Sequence, residues 1–272
     1  MSVFIVLGYL FSFTLGLVAG SFVNVVIYRF NTGLTLGGRS KCLSCNTTLA
    51  PRDLIPLFSF ALNKTRCRYC ESQISWQYPI VEGLLGIIFL LIFYHFGFLP
   101  FTLLFYWLVA AWLLIIAGYD YRHKIIPDKL VFGLAVLALV GPIITGFDDW
   151  LLAQVVVRLA HNLISGGIFY LFFWSLWRVS SDRWIGLGDA KLALVIGFIL
   201  GFSHGLTAIL TGFWLGAIVG LTLILLRGLD QTKLPAYLRG VKINLKSEIA
   251  FAPFLIFGTL LVIITSFNVL PF

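Results

Sequence analysis

Long apolar runs, each near the length of a bilayer crossing and separated by short connections, constrain this chain more than any motif does. Eight of them can be marked, at 3–28, 79–98, 101–119, 130–146, 159–177, 190–202, 206–226 and 249–267. A helix needs roughly 20 apolar residues to span the hydrocarbon core. The expected fold is therefore an all-α polytopic membrane protein with about eight transmembrane helices. Only 11% of the residues are charged, where a soluble domain carries about a quarter. Glycines recur inside the runs, among them Gly16, Gly20, Gly86, Gly166, Gly197 and Gly216, as close helix packing in lipid requires. Residues 1–4 hold no basic group, so the first run is expected to stay as a helix rather than act as a cleaved signal.

Basic residues set the orientation, because short cytoplasmic connections are enriched in Lys and Arg. All but one of the 19 fall in four alternate connections, Arg29 to Arg68, Arg122 to Lys129, Arg178 to Lys191 and Arg227 to Lys246. The other connections, near 97–100, 148–150 and 203–205, carry none. Both termini are then outside and the four basic connections face the cytoplasm. Arg158 is the exception, expected on an interfacial stretch at 150–161 with its charge reaching back to water. The formal charge of +8 follows from this topology and from contact with anionic lipid; no nucleic acid is needed to explain it.

The connection from 30 to 78 is the only sizeable piece outside the apolar runs, and it holds all four cysteines. They form two CxxC pairs, Cys42 with Cys45 and Cys67 with Cys70. Each pair can present two thiolates, and two pairs complete a closed tetrahedral zinc site. The segment is too small to build a full core, so a metal staple makes physical sense. Disulfides are the rival, but a cytoplasmic connection keeps its thiols reduced. Four thiolates leave no open coordination position, so this zinc is expected to be structural.

Two acids stand where an apolar run meets a basic connection. Asp120 follows Gly118-Tyr119 at the end of the third run, and Asp189 closes Gly186-Leu187-Gly188-Asp189 at the start of the sixth. A carboxylate at that depth is costly and marks a functional site by default. Two of them on one membrane face can share a proton, as the carboxylates of aspartic proteases do to activate water. With Asp189 in a first helical turn and Lys191 nearby, the pair can split into one charged and one protonated acid. Gly186 and Gly188 would give backbone room for an extended substrate beside the acid. Asp128 follows Pro127, a residue suited to a helix start, and reads as an N-terminal acid held by the helix dipole. Asn24 needs a partner in lipid and reads as interhelical glue or as a contact to substrate or cofactor. Glu82 lies one turn into the second run, placed either to pair with a loop arginine or to enter the active cavity.

Taken together, these pieces resemble the bacterial prepilin peptidases, the bifunctional leader peptidase/N-methyltransferases of type IV pili and type II secretion. The resemblance runs from Gly20-Ser21-Phe22-Val23-Asn24 through the two CxxC pairs, Asp53 to Ser59, Tyr78 to Glu82, Asp120 to Asp128, Gly186 to Lys191 and Phe251-Ala252-Pro253-Phe254. It implies a GxGD-type intramembrane aspartic protease of the bacterial inner membrane, with Asp120 and Asp189 as its catalytic pair. The chain would divide into a first transmembrane helix at 1–29, a cytoplasmic zinc-binding domain at 30–78 and a seven-helix peptidase domain at 79–272. Substrates would be type IV prepilins or pseudopilins, whose short basic leader is cut after glycine at the cytoplasmic face. S-adenosylmethionine would then serve N-methylation of the new terminus. Thr65-Arg66 stands where bacterial members commonly carry Gly-Lys or Gly-Arg. Presenilin-type proteases share the Tyr-Asp and Gly-Leu-Gly-Asp stretches, but their Pro-Ala-Leu signature is absent here. Because the cytoplasmic connections are themselves basic, the substrate's apolar helix is expected to dominate recognition, helped locally by Glu82 or Asp128.

Two other classes compete on the residues alone. A transporter relaying ions or protons would use the paired acids but would not need four cysteines. A scaffold docking a partner through the zinc loop would leave Asp120 and Asp189 without a task.

Overall fold

The structure is a computed structural model, and it describes residues 2–149, 152–181, 183–227 and 250–269. The helices are α1 (Ser2–Arg29), α2 (Phe58–Leu62), α3 (Gln77–Phe96), α4 (Pro100–His123), α5 (Asp128–Asp149), α6 (Leu152–Ser180), α7 (Leu187–Arg227) and α8 (Ala252–Thr265), with a short 3₁₀ turn at Pro51–Leu54. Among the described residues there is no strand, only two isolated bridges in the cysteine segment. Among the described residues six helices are long and apolar enough to cross a membrane, and α8 is a shorter apolar helix. The all-helical membrane class is as expected. The basic connection Arg227 to Lys246 lies, after its first residue, outside the described residues.

The chain divides into two compact units. The first comprises Met1–Gly118 with Val140–Val155, and its organising contact is α1 against α3. A side-chain carbon on Gly16 would lie 2.6 Å from the Leu85 carbonyl oxygen, and one on Gly20 would lie 2.6 Å from the Glu82 Cα. The two backbones therefore touch along a stripe of small residues, which is how helices gain dispersion contact in lipid. One turn further on, the Asn24 amide donates to the Tyr78 carbonyl at 3.2 Å, and Tyr28 stacks on Tyr78 at 5.1 Å. Leu85 and Ile92 of α3 and Val109, Leu113 and Ile116 of α4 are fully buried. Val3, Phe4, Leu10, Phe11, Val18 and Phe22 of α1 are exposed, an apolar face that suits lipid and not water. Asp148, near the end of α5, accepts from the Thr102 N–H at 2.7 Å and so caps the start of α4. Helix α3 begins before the expected Pro79, which sits in its first turn where its missing N–H leaves no bond unmade.

The second unit comprises Tyr119–Leu139 with Val156–Phe272. Here the structure departs from the sequence reading in an informative way. The sixth and seventh runs are two helical segments, apolar over Leu187–Thr222, joined directly at Gly201 without the connection expected at 203–205. A straight helix of that length would be about 54 Å long, nearly twice the hydrocarbon thickness. The break lies instead at Gly201, at φ 71° and ψ −167°, a backbone region open essentially to glycine alone. A side-chain carbon on Gly205 would lie 3.7 Å from the Gly197 Cα, though eight residues along a straight helix span about 12 Å. The chain therefore folds back on itself at this glycine.

Polar groups freed by the fold-back find partners. The Asn162 amide of α6 donates to the Phe198 carbonyl at 2.9 Å, and Asn268 donates to the Ser203 hydroxyl at 2.7 Å while accepting from Thr207 at 3.0 Å. Beyond the break, α7 packs against α8 through Gly212 and Gly258, where added side chains would meet backbone at 2.8 and 2.2 Å. Residues 152–161, expected as an interfacial stretch, form the first turns of α6. Arg158 lies on that helix; Trp150 is outside the described residues.

Candidate active site

Asp120 occupies the last turn of α4, where the helix stops because Lys124 adopts a left-handed conformation at φ 53° and its N–H returns to the Asp120 carbonyl at 2.7 Å. The carboxyl is almost fully enclosed, with 5% of the residue exposed. It faces the backbone N–H of Ala252, the first residue of α8. That N–H has no partner within its own helix, and Pro253 beside it suits a helix start. The Phe251-Ala252-Pro253-Phe254 stretch thus supplies a donor to the acid, a role its sequence does not announce.

Asp189 occupies the first turn of α7. Its N–H donates to the Gly186 carbonyl at 3.1 Å, and the Gly186 N–H reaches back to its carboxyl. Asp120 and Asp189 lie close enough for their charges to act on one another. Both belong to the second unit. Two acids far apart in the sequence thus come within electrostatic reach, one in the last turn of α4 and the other in the first turn of α7.

The surrounding groups sort themselves differently from expectation. The Lys191 ammonium is bonded to the Asp128 carboxylate, so its charge is directed to the start of α5 and not to Asp189. Pro127 precedes that start, its carbonyl accepting from Leu130 and Val131 at 3.0 and 3.2 Å. Gly186 and Gly188 are not among the positive-φ glycines, so backbone freedom is not what they supply. A side-chain carbon on Gly188 would come within 3.0 Å of the Ile126 Cβ, whereas one on Gly186 would sit 3.6 Å from an Asp189 carboxyl oxygen. Gly188 lets the α4–α5 connection pack against α7; Gly186 leaves open room beside the acid.

The four cysteines form a second centre in the first unit. Their sulfurs all lie within 4.8 Å of one another, and the Cys42 and Cys70 sulfurs are 3.8 Å apart. Tetrahedral zinc with about 2.3 Å bonds would hold thiolates about 3.8 Å apart, so the residues fit that metal. Each pair sits in the same turn. The Cys42 N–H donates to Thr47 and the Asn46 N–H to Cys42; the Cys67 N–H donates to Ser72 and the Glu71 N–H to Cys67. Asn46 and Glu71 share φ values of 60° and 59°. Burial works to raise the Cys42 thiol, but N–H groups of Cys45 and Ser44 outweigh it and hold it at about 6, while burial pushes Cys67 up to about 11. Asp53 ties the 3₁₀ turn to the second pair, accepting from the Tyr69 hydroxyl at 3.0 Å.

Asn24 and Glu82 are both in the first unit. Asn24 is fully buried and Glu82 is 7% exposed. Glu82 accepts from the Leu57 N–H at 2.9 Å and is reached by the Ser21 hydroxyl. It pairs with no arginine among the described residues.

Comparison with known proteins gives a consistent picture. The model of the bacterial peptidase A24 N-terminal domain matches residues 14–96, and that of the type IV leader peptidase family matches residues 107–221. The prepilin leader peptidase/N-methyltransferase of Bacillus subtilis (strain 168) is 31% identical over 191 residues, covering 70% of this chain and 72% of that protein. The protein of the same description from Klebsiella pneumoniae is 34% identical over 205 residues, covering 71% and 85%. That from Dickeya chrysanthemi is 31% identical over 218 residues, covering 70% and 73%. No solved structure matches the chain.

Proposed function

The chain belongs to the type IV leader peptidase family, and from that premise we propose that it cuts the leader from type IV prepilins or pseudopilins with Asp120 and Asp189. The observation that carries this is that Asp120 in the last turn of α4 and Asp189 in the first turn of α7 lie within electrostatic reach of one another. Adjacent carboxyls share one proton because both cannot ionise together at low energy. The ionised member takes a proton from water as the oxygen attacks the scissile carbonyl. The protonated member donates to that carbonyl oxygen, and a proton then passes to the leaving amine. The Ala252 N–H holds the Asp120 carboxyl in place, and the open space at Gly186 admits an extended peptide. The cut falls after glycine in the leader.

The finer topology follows the same reading. The chain crosses the bacterial inner membrane eight times, both termini outside, with the aspartates at the cytoplasmic face. The fold-back at Gly201 supports counting α7 as two crossings. The division into a helix at 1–29, a cysteine domain at 30–78 and a seven-helix peptidase body at 79–272 is part of this proposal. Cys42, Cys45, Cys67 and Cys70 would hold one zinc, which would supply rigidity and no chemistry. The relatives are named as N-methyltransferases too, so we extend the proposal to methylation of the new N-terminus from S-adenosylmethionine.

The test incubates the purified protein with a prepilin peptide. Asp120→Asn and Asp189→Asn should each lower cleavage by roughly 10³-fold or more while the protein stays folded. An Asp189→Asn variant that cleaves at the normal rate would overturn the assignment.

A further inference from the structure

The first unit contains a buried group of hydrogen-bond acceptors that the two-aspartate reaction does not use. It lies at the end of the α1–α3 contact, where Ser21 and Asn24 continue the small-residue stripe of Gly16 and Gly20. Asn24 is fully buried. Its amide nitrogen is committed to the Tyr78 carbonyl, which fixes the side chain's orientation, and its Oδ1 has no hydrogen-bond partner among the described residues. A buried polar atom left unpaired costs about 1–3 kcal/mol, so interhelical glue explains the nitrogen and not the oxygen.

Glu82 stands on the next turn of α3 after Tyr78 and is itself buried. The Leu57 N–H at 2.9 Å and the Ser21 hydroxyl are its partners. A carboxylate has about four acceptor positions, so two remain open among the described residues. Leu57 reaches it from a backbone at φ 60° and ψ −45°, which a leucine adopts only under constraint. The group therefore offers spare acceptors and, with a cation beside it, a negative charge. A ligand that completes it must donate several hydrogen bonds and carry positive charge. It must also be compact, since the Gly20 backbone lies against the Glu82 Cα.

We infer that Glu82 and Asn24 bind the free α-ammonium of the substrate's new N-terminal residue, held for modification after the leader is removed. A primary ammonium presents three donors from one small centre, matching the open positions on Glu82 and the unpaired oxygen of Asn24. The inference rests on the prepilin reading above and adds the atoms that recognise the cut product.

Binding of a synthetic peptide tests it, using the full-length protein in detergent. The peptide carries the apolar N-terminus of a trimmed prepilin with a free amine, and its control is the same peptide N-acetylated. Acetylation should weaken binding by on the order of tenfold or more, as expected for charge-assisted hydrogen bonds. The difference should shrink as pH rises past about 8, where the amine loses its proton. It should vanish in Glu82→Gln and diminish in Asn24→Leu. Equal affinity of the two peptides for the unaltered protein overturns the ammonium site and leaves the substrate reading intact. Failure of both peptides to bind overturns both readings. The comparison on the unaltered protein decides the matter even if a variant fails to fold.

Discussion

The cysteine segment and the aspartate pair reach order by different routes. In the first, a turn of a few residues is built around Cys42 and Cys45 and repeated around Cys67 and Cys70, with matching hydrogen bonds and matching left-handed residues at Asn46 and Glu71. Every determinant is local, and one metal ion would join the halves. In the second, nothing local brings Asp120 to Asp189. The pair exists because α4 stops at Lys124, α7 starts beyond Gly186, and α8 aims its first N–H at Asp120. A site made of local turns depends on its metal, and a site made of helix ends depends on packing far from it.

Removing the metal should break that comparison most sharply. Replacing Cys42 and Cys67 together by Ser should reduce bound zinc from about one per chain to none. Structural zinc contributes roughly 10–16 kcal/mol of binding energy in small metal-dependent folds. Hydrogen exchange across 41–73 should then rise to near the unfolded rate, while 187–200 stays protected. Equal loss of protection in both stretches would show that the two centres do not fold by separate means.

The next effect is at the fold-back. Gly201→Val places a branched side chain at φ 71°, against the His161 ring at 2.9 Å. Strain of about 1–3 kcal/mol is expected, read as a lowered melting temperature with zinc content unchanged.

The same contrast explains what the sequence makes legible. The cysteine pairs are readable because their spacing alone states the geometry. Asp120 and Asp189 are readable because a carboxylate at the end of an apolar run is costly wherever it lies. The Gly201 break is not: glycine is frequent in these runs, and only its conformation singles this one out. The Lys191–Asp128 pair joins residues on different helices, so adjacency to Asp189 in sequence misleads about where the lysine's charge goes. The same holds for Leu57 and Glu82, whose hydrogen bond no spacing rule predicts.

A smaller effect follows from the donor on α8. Ala252→Pro removes the N–H that faces Asp120 and keeps a residue tolerated at a helix start. Cleavage should fall by on the order of tenfold or more, the scale of a lost hydrogen bond to a charged group. Zinc content should hold, while the melting temperature should drop by a few degrees, because Phe251 at φ −88° and ψ −30° would precede a proline and residue 252 is fully buried. Unchanged turnover would mean that Asp120 is positioned by α4 alone.

The smallest structural change separates the two glycines before Asp189. Gly188→Ala brings a methyl to within 3.0 Å of the Ile126 Cβ, so the α4–α5 connection must yield. Overpacking of this kind costs about 1–3 kcal/mol, and the melting temperature should drop by a few degrees. In Gly186→Ala the methyl sits at ordinary contact distance, 3.6 Å from the Asp189 carboxyl oxygen, and stability should be retained. Its methyl nevertheless occupies the room beside the acid, so cleavage should fall through a raised KM. The two variants thus divide packing from substrate access on neighbouring residues. If Gly186→Ala lowers stability and leaves KM unchanged, the space beside Asp189 belongs to the fold and the peptide enters from another side.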